Sequence, residues 1–332
     1  MSGPTGPTGP TGLTRSTAAP VRWVLAIHGG AGTRPRRLPA EQVRAIGETL
    51  KGALDAGIQI LSTAGRALDA VQSAVRVMEA SGVLNAGRGS VLNHEGFAEL
   101  DAALMDGRGR RAGAVAAIRH IAHPIDLARA VLEHGRHVLL AGKGAKQFAV
   151  EHGFALEPDE YFVTPRRLAE LEHARAAGGG DSGSASAAAS IPWHPAGTVG
   201  AVALDAQGDL AAATSTGGLT DKHVGRVGDS PIIGAGTFAE NGVCAVSGTG
   251  AGEYFMRFTA ASEVAARVKL QGLRLEDAAL EVIEMIKATG GKGGLIAVDA
   301  RGNIAMPFSS EAMLRACARA DREAEVIVEG SG

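Results

Sequence analysis

The sequence is poor in aromatic residues and cysteine and contains no long apolar run. Aromatic residues make up 4% of the 332 residues, whereas glycine occurs 47 times, so we expect a core of small aliphatic side chains whose backbones approach closely. Cys244 and Cys317 are the only cysteines, too few for a disulfide framework or a cysteine-rich zinc site and ordinary for a reducing cytoplasm. No apolar stretch approaches the roughly 20 residues of a membrane span. We therefore expect a soluble, cytoplasmic protein.

The charge balance and the missing motifs exclude several functions. Lys and Arg total 33 against 35 Asp and Glu, a net charge of -2, which argues against nucleic-acid or membrane partners and favours a small-molecule or dipeptide substrate. The phosphate-binding loop, the Gly-x-Ser-x-Gly elbow and the His-Glu-x-x-His zinc motif are absent. His120 with His123, and His134 with His137, lack an accompanying carboxylate pattern, so we interpret them as solvated histidines. No cofactor for catalysis is predicted.

Composition divides the chain into a tail and two segments. Residues 1–20 contain three Gly-Pro-Thr triplets and no apolar signal-peptide core, which predicts a disordered tail. A stretch rich in Gly, Ser and Ala within about residues 176–197 predicts a flexible linker between segments 21–197 and 198–332. Because the second segment begins with strands that need a partner sheet, both segments are expected to form one domain.

Apolar periodicity predicts mixed α and β structure. Residues 22–27 read as a buried strand that ends in a glycine turn at 28–32. Helical spacing predicts helices over 39–61, 67–80, after Pro124, over 145–152, over 166–176 and, with breaks, over 254–288. Strands are predicted around 97–104, 114–118 and 243–247, and in hairpins over 198–216 and 294–307.

Thr198 opens the second segment directly after the linker. A threonine at a strand edge usually only satisfies β-propensity, which is the alternative interpretation of this residue. Two further hydroxyl-bearing, glycine-rich turns, 214–218 and 247–250, follow predicted strands. The three positions together predict converging hydroxyl and backbone N–H groups.

A threonine in this position needs a base to act as a nucleophile. A free α-amine on the same residue, with a pKa of roughly 8, can serve. Cleavage of the peptide bond between Gly197 and Thr198 exposes that amine, and the Thr198 hydroxyl itself can attack the Gly197 carbonyl, where glycine offers little steric obstruction. We therefore predict self-cleavage at this bond.

Six ordered motifs resemble the plant-type asparaginase (isoaspartyl peptidase) family of N-terminal-nucleophile hydrolases over about residues 23–307. The motifs are IHGGAG at 27–32, LNAG at 84–87 with ELDA at 99–102 and MDG at 105–107, GTVGAVALD at 197–205, ATSTGG at 213–218, GRVGDSP at 225–231 and TGAGE at 249–253. The resemblance implies a four-layer αββα sandwich, two antiparallel sheets face to face with helices outside. It also implies an amidohydrolase that cleaves β-aspartyl (isoaspartyl) dipeptides and L-asparagine to release L-aspartate. An α chain (1–197) and a β chain (198–332) are then expected to stay associated and to pair as (αβ)2.

The resemblance assigns catalytic roles to residues within these motifs. It implies that Thr198 is the nucleophile and that Thr216 is the hydroxyl that positions it. It further implies an oxyanion hole formed by Thr249, the Gly250 N–H and Asn85. Donors placed where charge develops in a transition state typically contribute roughly 3–4 kcal/mol each.

The resemblance also implies a substrate site. Arg226 matches the residue that binds the substrate's α-carboxylate and Asp229 the residue that binds its α-amine, with Thr249, Gly250 and Gly252 beside them. Arginine offers a bidentate fork to a carboxylate, and aspartate accepts from an ammonium group. Outside such a motif, a surface ion pair is the usual interpretation of neighbouring Arg and Asp residues.

Residues 78–88 resemble the family's stabilisation loop, whose backbone carbonyls hold a structural sodium ion. The implied ligands are the carbonyls of Met78, Glu79, Ser81, Leu84, Ala86 and Arg88. Main-chain oxygens are acceptable ligands for hard cations, so side-chain identity says little here, and an ordinary loop after a helix is an equal alternative.

The chain departs from the family pattern in its linker, which is unusually rich in Gly, Ser and Ala, and at Gly248. Two alternative functions also remain. Gly248 stands where a bulkier residue, often cysteine, precedes the oxyanion threonine, so we expect Thr249 to be loosened. A glycosylasparaginase-like amidase shares the nucleophile but typically has Asp before it, where this chain has Gly197. An uncleaved, non-catalytic binding protein of the same fold is disfavoured by the intact hydroxyl and charged motifs.

Overall fold

The computed structural model describes residues 23–32, 39–176 and 197–328. The predicted tail and nearly all of the predicted linker lie outside these residues. In chain order the strands are β1 (Val24–Gly32), β2 (Leu100–Asp106), β3 (Arg111–Ile118), β4 (Leu139–Ala141), β5 (Val199–Leu204), β6 (Leu210–Thr216), β7 (Thr237–Glu240), β8 (Cys244–Gly250), β9 (Gly293–Asp299), β10 (Ile304–Ala305), β11 (Ala312–Arg319) and β12 (Arg322–Ile327). The helices are α1 (Ala40–Leu61), α2 (Ala67–Ala80), α3 (Pro124–His134), α4 (Gly142–Glu151), α5 (Pro165–Ala176), α6 (Gly252–Arg257), α7 (Ala260–Gln271) and α8 (Leu275–Ala288).

These strands form two sheets. Eight pair in the order β12-β11-β1-β5-β6-β2-β3-β4, and four pair in the order β10-β9-β8-β7. The paired strands are antiparallel except β3 and β4, which run parallel. The prediction of two antiparallel sheets is therefore wrong for this one pair at the edge. β5 lies between β1 and β6, so strands from both chain segments interleave in the larger sheet.

The side chains of β1 alternate between two apolar cores. Leu25 and Ile27 pack in a core with helices α1 to α5, whereas Val24 and Ala26 join a second core that contains residues of both sheets and of α6 to α8. This alternation follows because successive side chains of a strand point to opposite faces. The layers are thus helices, large sheet, small sheet and helices, which confirms the predicted αββα sandwich.

The glycine run at 28–32 is part of a strand rather than the predicted turn. β1 continues through it to Gly32, paired with β11, and the register shifts between His28 and Gly30. Gly30 has φ 115°, a conformation that residues with a Cβ rarely adopt, so the run bulges and stays in the sheet. Pairing of β1 with β5 ends where His28 faces Gly200.

Most other predicted elements are present, with boundaries shifted by a few residues. The predicted helices correspond to α1 to α8, and the two predicted hairpins correspond to β5–β6 and β9–β10. Strands β4, β7, β11 and β12 were not predicted. Among the described residues, no helix combines the length and apolar character required to cross a bilayer.

Candidate active site

Thr198 lies at the entry to β5, where the chain is held from both sides. Val199 faces Ser215 on β6, and Gly200 faces His28 on β1. The Thr198 side chain is 7% exposed, and its Oγ1 lies 3.3 Å from the Oγ of Ser230. The hydroxyl that bonds Thr198 in this structure is therefore Ser230, which belongs to the GRVGDSP motif and was assigned no role from sequence.

Gly197, on the other side of the predicted cleavage bond, packs against the bulge of β1. A Cβ added at Gly197 would lie 2.1 Å from the Gly30 Cα and 2.7 Å from the Ala31 nitrogen. A Cβ at Gly30 would lie 2.5 Å from the Gly197 Cα. Only glycine fits at either position, so the bond between Gly197 and Thr198 is pressed against the β1 backbone.

Thr249, on β8 of the smaller sheet, reaches the same stretch of β1. Its Oγ1 accepts a hydrogen bond of 3.1 Å from the Ala31 N–H, and its side chain is fully buried. Because the Thr249 oxygen is the acceptor in that bond, its own proton remains available for a further hydrogen bond. Gly250 follows at the end of β8 with φ 146°, packed against Lys292 and Gly293.

The space beside Gly248 is filled by neighbouring side chains, and the expected loosening of Thr249 stays a prediction. A Cβ at Gly248 would lie 2.9 Å from a ring carbon of Phe255 and 3.4 Å from the Asp229 Oδ2. The Phe255 ring is fully buried and fills the space that a side chain would need. The strand before Thr249 is therefore packed by Phe255 rather than by a side chain of its own.

Thr216 and Asn85 together build the turn that follows β6. The Thr216 Oγ1 accepts from the Gly218 N–H at 3.0 Å, and the Asn85 amide donates to the Gly218 carbonyl at 2.8 Å. The Asn85 Oδ1 accepts from the Val91 N–H at 3.0 Å. Both side chains thus hold the turn in place, and their predicted roles at the nucleophile and in the oxyanion hole stay predictions.

Arg226 and Asp229 meet beside Gly252. A Cβ at Gly252 would lie 2.8 Å from the Asp229 Oδ1 and 3.2 Å from the Arg226 Nη2, so the glycine keeps space open next to both charges. Arg226 donates from Nε and Nη2 to one Glu253 carboxylate oxygen, at 2.9 and 2.7 Å. Glu253 is half-exposed. The sequence prediction that Arg226 and Asp229 form one site is consistent with this geometry, which makes Glu253 a third member.

Asp229 is a buried carboxyl without a full set of partners. It is 3% exposed, and its Oδ2 has no hydrogen-bond partner in the part of the chain that the structure describes. Burial raises the pKa of Asp229 to about 6, and a backbone hydrogen bond and the positive charge of Arg226 lower it only in part. Such a group is satisfied by a cation that it can bind, such as an ammonium group.

Lys222 is a buried cation near the partly exposed Arg226, and no sequence motif singles it out. Its Nζ donates to the Glu99 carbonyl at 3.0 Å, and the Glu99 carboxylate accepts from the Gly225 N–H at 3.0 Å. Burial lowers the pKa of Lys222, while the charges of Asp101 and Glu99 raise it. These contacts fasten the segment that precedes Arg226 to the start of β2.

The predicted sodium loop is closed and lined by carbonyl oxygens. A Cβ at Gly87 would lie 2.5 Å from the Glu79 carbonyl oxygen, and a Cβ at Gly89 would lie 2.1 Å from that of Leu84. The loop thus forms a small cradle that side chains at either glycine would fill. Met78, Leu84 and Ala86 use their carbonyls for hydrogen bonds within the loop as well. A carbonyl oxygen has two lone pairs and is a suitable ligand for a hard cation, so the sodium site stays a prediction.

The two histidine pairs, His120 with His123 and His134 with His137, are not arranged as metal ligands. The rings of His134 and His137 are 6.5 Å apart, and His123 lies against Glu79 rather than His120. Nowhere in residues 23–32, 39–176 or 197–328 do three or more His, Cys, Asp or Glu side chains gather as metal ligands do.

A four-layer αββα sandwich with a buried threonine at the entry to a central strand is the architecture of the N-terminal-nucleophile hydrolases. Comparison with known proteins agrees, since the family model for asparaginase matches residues 21–328. The chain belongs to this asparaginase family. A protein named isoaspartyl peptidase from Salmonella typhimurium is 48% identical over 295 residues, 88% of this chain and 94% of that protein. The isoaspartyl peptidase of Escherichia coli is 45% identical, over 88% of this chain and 92% of that protein. A mouse protein named isoaspartyl peptidase/L-asparaginase is 41% identical, over 90% of this chain and 91% of that protein.

Proposed function

We propose that this protein is an isoaspartyl peptidase and L-asparaginase that cleaves itself before Thr198 and uses that threonine as its nucleophile. The observation that carries the proposal is the adjacency of Asp229 and Ser230. Asp229 is the buried carboxyl available to a substrate ammonium group, and Ser230 is the hydroxyl bonded to Thr198. This dipeptide therefore joins the carboxylate proposed to bind the aspartyl unit to the residue whose side chain contacts the Thr198 hydroxyl.

The first reaction is self-cleavage. The Thr198 Oγ attacks the Gly197 carbonyl carbon, the peptide C–N bond breaks, and the amine of Thr198 leaves with a proton while an ester forms on its hydroxyl. Water then hydrolyses the ester, which frees the Gly197 carboxylate and the Thr198 hydroxyl. The close packing of Gly197 on Gly30 supports this step, because it fixes the carbonyl and leaves little freedom to the bond.

The second reaction uses the new N-terminus. The Thr198 amine takes the proton of its own hydroxyl, which attacks the side-chain carbonyl carbon of asparagine or of a β-aspartyl peptide. Thr249 and the Gly250 N–H stabilise the oxyanion, with Asn85 holding the adjacent turn. Ammonia or an amino acid leaves with a proton, and water hydrolyses the aspartyl ester to release aspartate.

Substrate choice follows from the charge pair. Arg226 binds the α-carboxylate of the aspartyl unit, in competition with Glu253, and Asp229 binds its α-amine beside Gly252. The substrate's α-carboxylate and α-amine must both be free for this binding. An ordinary α-aspartyl peptide, whose α-carboxyl is part of the peptide bond, should therefore be rejected.

We also propose that the products of cleavage, residues 1–197 and 198–332, stay together and pair as (αβ)2. The sheet order supports the continued association of the two chains. In the larger sheet, β1 lies between β11 and β5, and β2 lies beside β6. A sodium ion held by the carbonyls of the 78–88 loop would supply rigidity behind the site rather than chemistry. Light scattering should give about twice 33.7 kDa for the assembled protein.

The proposed compartment is the cytoplasm. Cys244 and Cys317 are both free thiols, and burial raises the pKa of Cys244 to about 12. Two unpaired thiols fit a reducing environment.

The test is substrate hydrolysis by the purified protein. Aspartate release from β-Asp-Leu and ammonia release from L-asparagine are expected, with no comparable cleavage of α-Asp-Leu. Thr198→Ala is the inactive control, and Thr198→Ser should retain activity because it keeps a hydroxyl. Hydrolysis of a glycosylasparagine far faster than β-Asp-Leu would support the glycosylasparaginase alternative. Binding of β-Asp-Leu without hydrolysis would support the binding-protein alternative.

A further inference from the structure

Between the two sheets, directly behind Thr198, lies a row of buried hydroxyl groups. Thr214 on β6, Thr237 on β7 and Ser247 on β8 are all fully buried. The Thr214 Oγ1 lies 2.7 Å from the Ser247 Oγ and 2.7 Å from the Thr237 Oγ1. Hydroxyls in an otherwise apolar sheet interface are costly unless each is hydrogen-bonded, so their mutual contacts need a reason beyond packing.

The row ends at the backbone of the residue that bonds the nucleophile. The Thr237 hydroxyl lies 3.0 Å from the Ser230 carbonyl oxygen, and the Ser230 side-chain hydroxyl lies 3.3 Å from the Thr198 Oγ1. Thr237 thus fixes the main chain of Ser230, whose side chain fixes Thr198.

The other end of the row is the buried imidazole of His28. Its Nε2 lies 3.0 Å from the Ser247 Oγ, and the ring lies beside the backbone of Thr198. Gly200 makes room for this contact, because a Cβ there would lie 2.0 Å from the Ser247 Oγ and 2.4 Å from the His28 Nε2. Burial lowers the pKa of His28 to about 3, so the imidazole is neutral.

The row is a continuous series of hydrogen bonds from His28 to the Ser230 carbonyl. The Thr237 hydroxyl lies within donating distance of two acceptors, the Ser230 carbonyl oxygen and the Thr214 Oγ1, and the Thr214 hydroxyl can itself donate to the Gly236 carbonyl at 3.3 Å. Thr214 and Ser247 share a hydrogen bond in which either oxygen can donate, and the His28 Nε2 donates to or accepts from Ser247 according to the imidazole tautomer. This chain of contacts joins the His28 imidazole to the Ser230 carbonyl.

We propose that this row (His28, Ser247, Thr214 and Thr237) positions the Thr198 hydroxyl through Ser230, for self-cleavage and for turnover alike. The proposal rests on the proposed function for its turnover part. The Asp229 carbonyl accepts from the N–H groups of Ile232 and Gly236 rather than from a hydroxyl of the row, and Thr214 reaches this turn only through the Gly236 carbonyl at 3.3 Å. Loss of the row should therefore disturb attack by Thr198 more than substrate binding.

The test compares Thr237→Val, which keeps the shape and removes the hydroxyl, with Thr237→Ser, which keeps the hydroxyl. Thr237→Val should lower kcat for β-Asp-Leu and the rate of self-cleavage by about 10-fold or more, with KM changed by less than about 3-fold, and Thr237→Ser should lie close to wild type. Ser247→Ala, further along the row, should give a smaller loss of the same kind and serves if Thr237→Val does not fold.

The matched control is Ser215→Ala. Ser215 is equally buried on β6, next to Thr214 in sequence, but its hydroxyl donates to Glu79 at 2.6 Å, outside the row. This variant should lose thermal stability and keep kcat. Wild-type kcat and cleavage rate in both Thr237→Val and Ser247→Ala would overturn the proposal, as would equal losses in Thr237→Val and Thr237→Ser. A wild-type protein that cleaves itself but hydrolyses no substrate would instead refute the proposed function, while the cleavage rates still test the row.

Discussion

Replacing Asp229 by Asn tests whether this buried carboxylate binds the substrate and, at the same time, lowers the stability of the folded protein. Burial raises the pKa of Asp229 from 3.8 to about 6. Since one pKa unit corresponds to 1.36 kcal/mol, an ionised Asp229 destabilises the folded protein by about 3 kcal/mol. Asparagine has nearly the same shape and no charge, so Asp229→Asn should be the more stable protein at neutral pH while it loses the acceptor for the substrate ammonium group.

The gain in stability of Asp229→Asn over the wild type should increase with pH. The folded pKa lies above the unfolded one, so the folded state binds the proton more tightly, and the penalty is complete above about pH 6 and disappears as the pH falls toward about 4. With an unfolding entropy of roughly 2.1 cal/mol/K per residue, 3 kcal/mol corresponds to a rise in Tm of about 4 °C for this chain.

The assay is thermal unfolding at about pH 7.5 and about pH 4.5, in a Thr198→Ala background where both proteins are single chains. Asp229→Asn should raise Tm at the higher pH and change it little at the lower. In the cleavable chain it should lower kcat/KM for β-Asp-Leu by about 30-fold or more. A lower Tm at pH 7.5, or a gain of equal size at both pH values, would refute the reasoning.

Three further substitutions have defined outcomes. Arg226→Ala should lower kcat/KM for β-Asp-Leu by about 30-fold or more in initial-rate assays, because it removes the carboxylate ligand; comparable cleavage of α-Asp-Leu by the wild type would contradict that role. Thr249→Ala should lower turnover by about 10²–10³-fold, the range for one oxyanion donor; a near-normal rate in the cleaved variant would mean that Gly250 and Asn85 suffice. Gly197→Ala should slow self-cleavage in gel time courses, because its Cβ would lie 2.1 Å from the Gly30 Cα; cleavage at the wild-type rate would show that close packing at this bond is unimportant.

Elements with a strong local signal could be predicted from the sequence. Helix α1 buries a stripe that includes Ile46, Leu50 and Leu54, and this spacing is visible in the sequence. The β5–β6 hairpin has apolar strands and a polar turn. The ordered motifs likewise pointed to Arg226 and Asp229, which lie together in the structure, because each motif is contiguous in the chain.

Features that depend on tertiary contacts could not be predicted. Strand β12 is mostly exposed, so no apolar alternation marks it, and the glycine run after Ile27 is a strand because β11 pairs with it. The hydroxyl partner of Thr198 is Ser230, 32 residues away. A serine inside a glycine-rich motif carries no local sign of such a contact, since its partner is chosen by how the sheets pack.

The most direct test of the central claim, that Thr198 is a self-released nucleophile, is the intact mass of the purified protein under denaturing conditions. Division of 33.7 kDa in proportion to 197 and 135 of 332 residues gives expected fragments of about 20 and 14 kDa, the smaller beginning at Thr198. Thr198→Ala should give one chain of 33.7 kDa. A wild-type protein that stays intact while it hydrolyses β-Asp-Leu, or a Thr198→Ala protein cut at the same bond, would contradict the account.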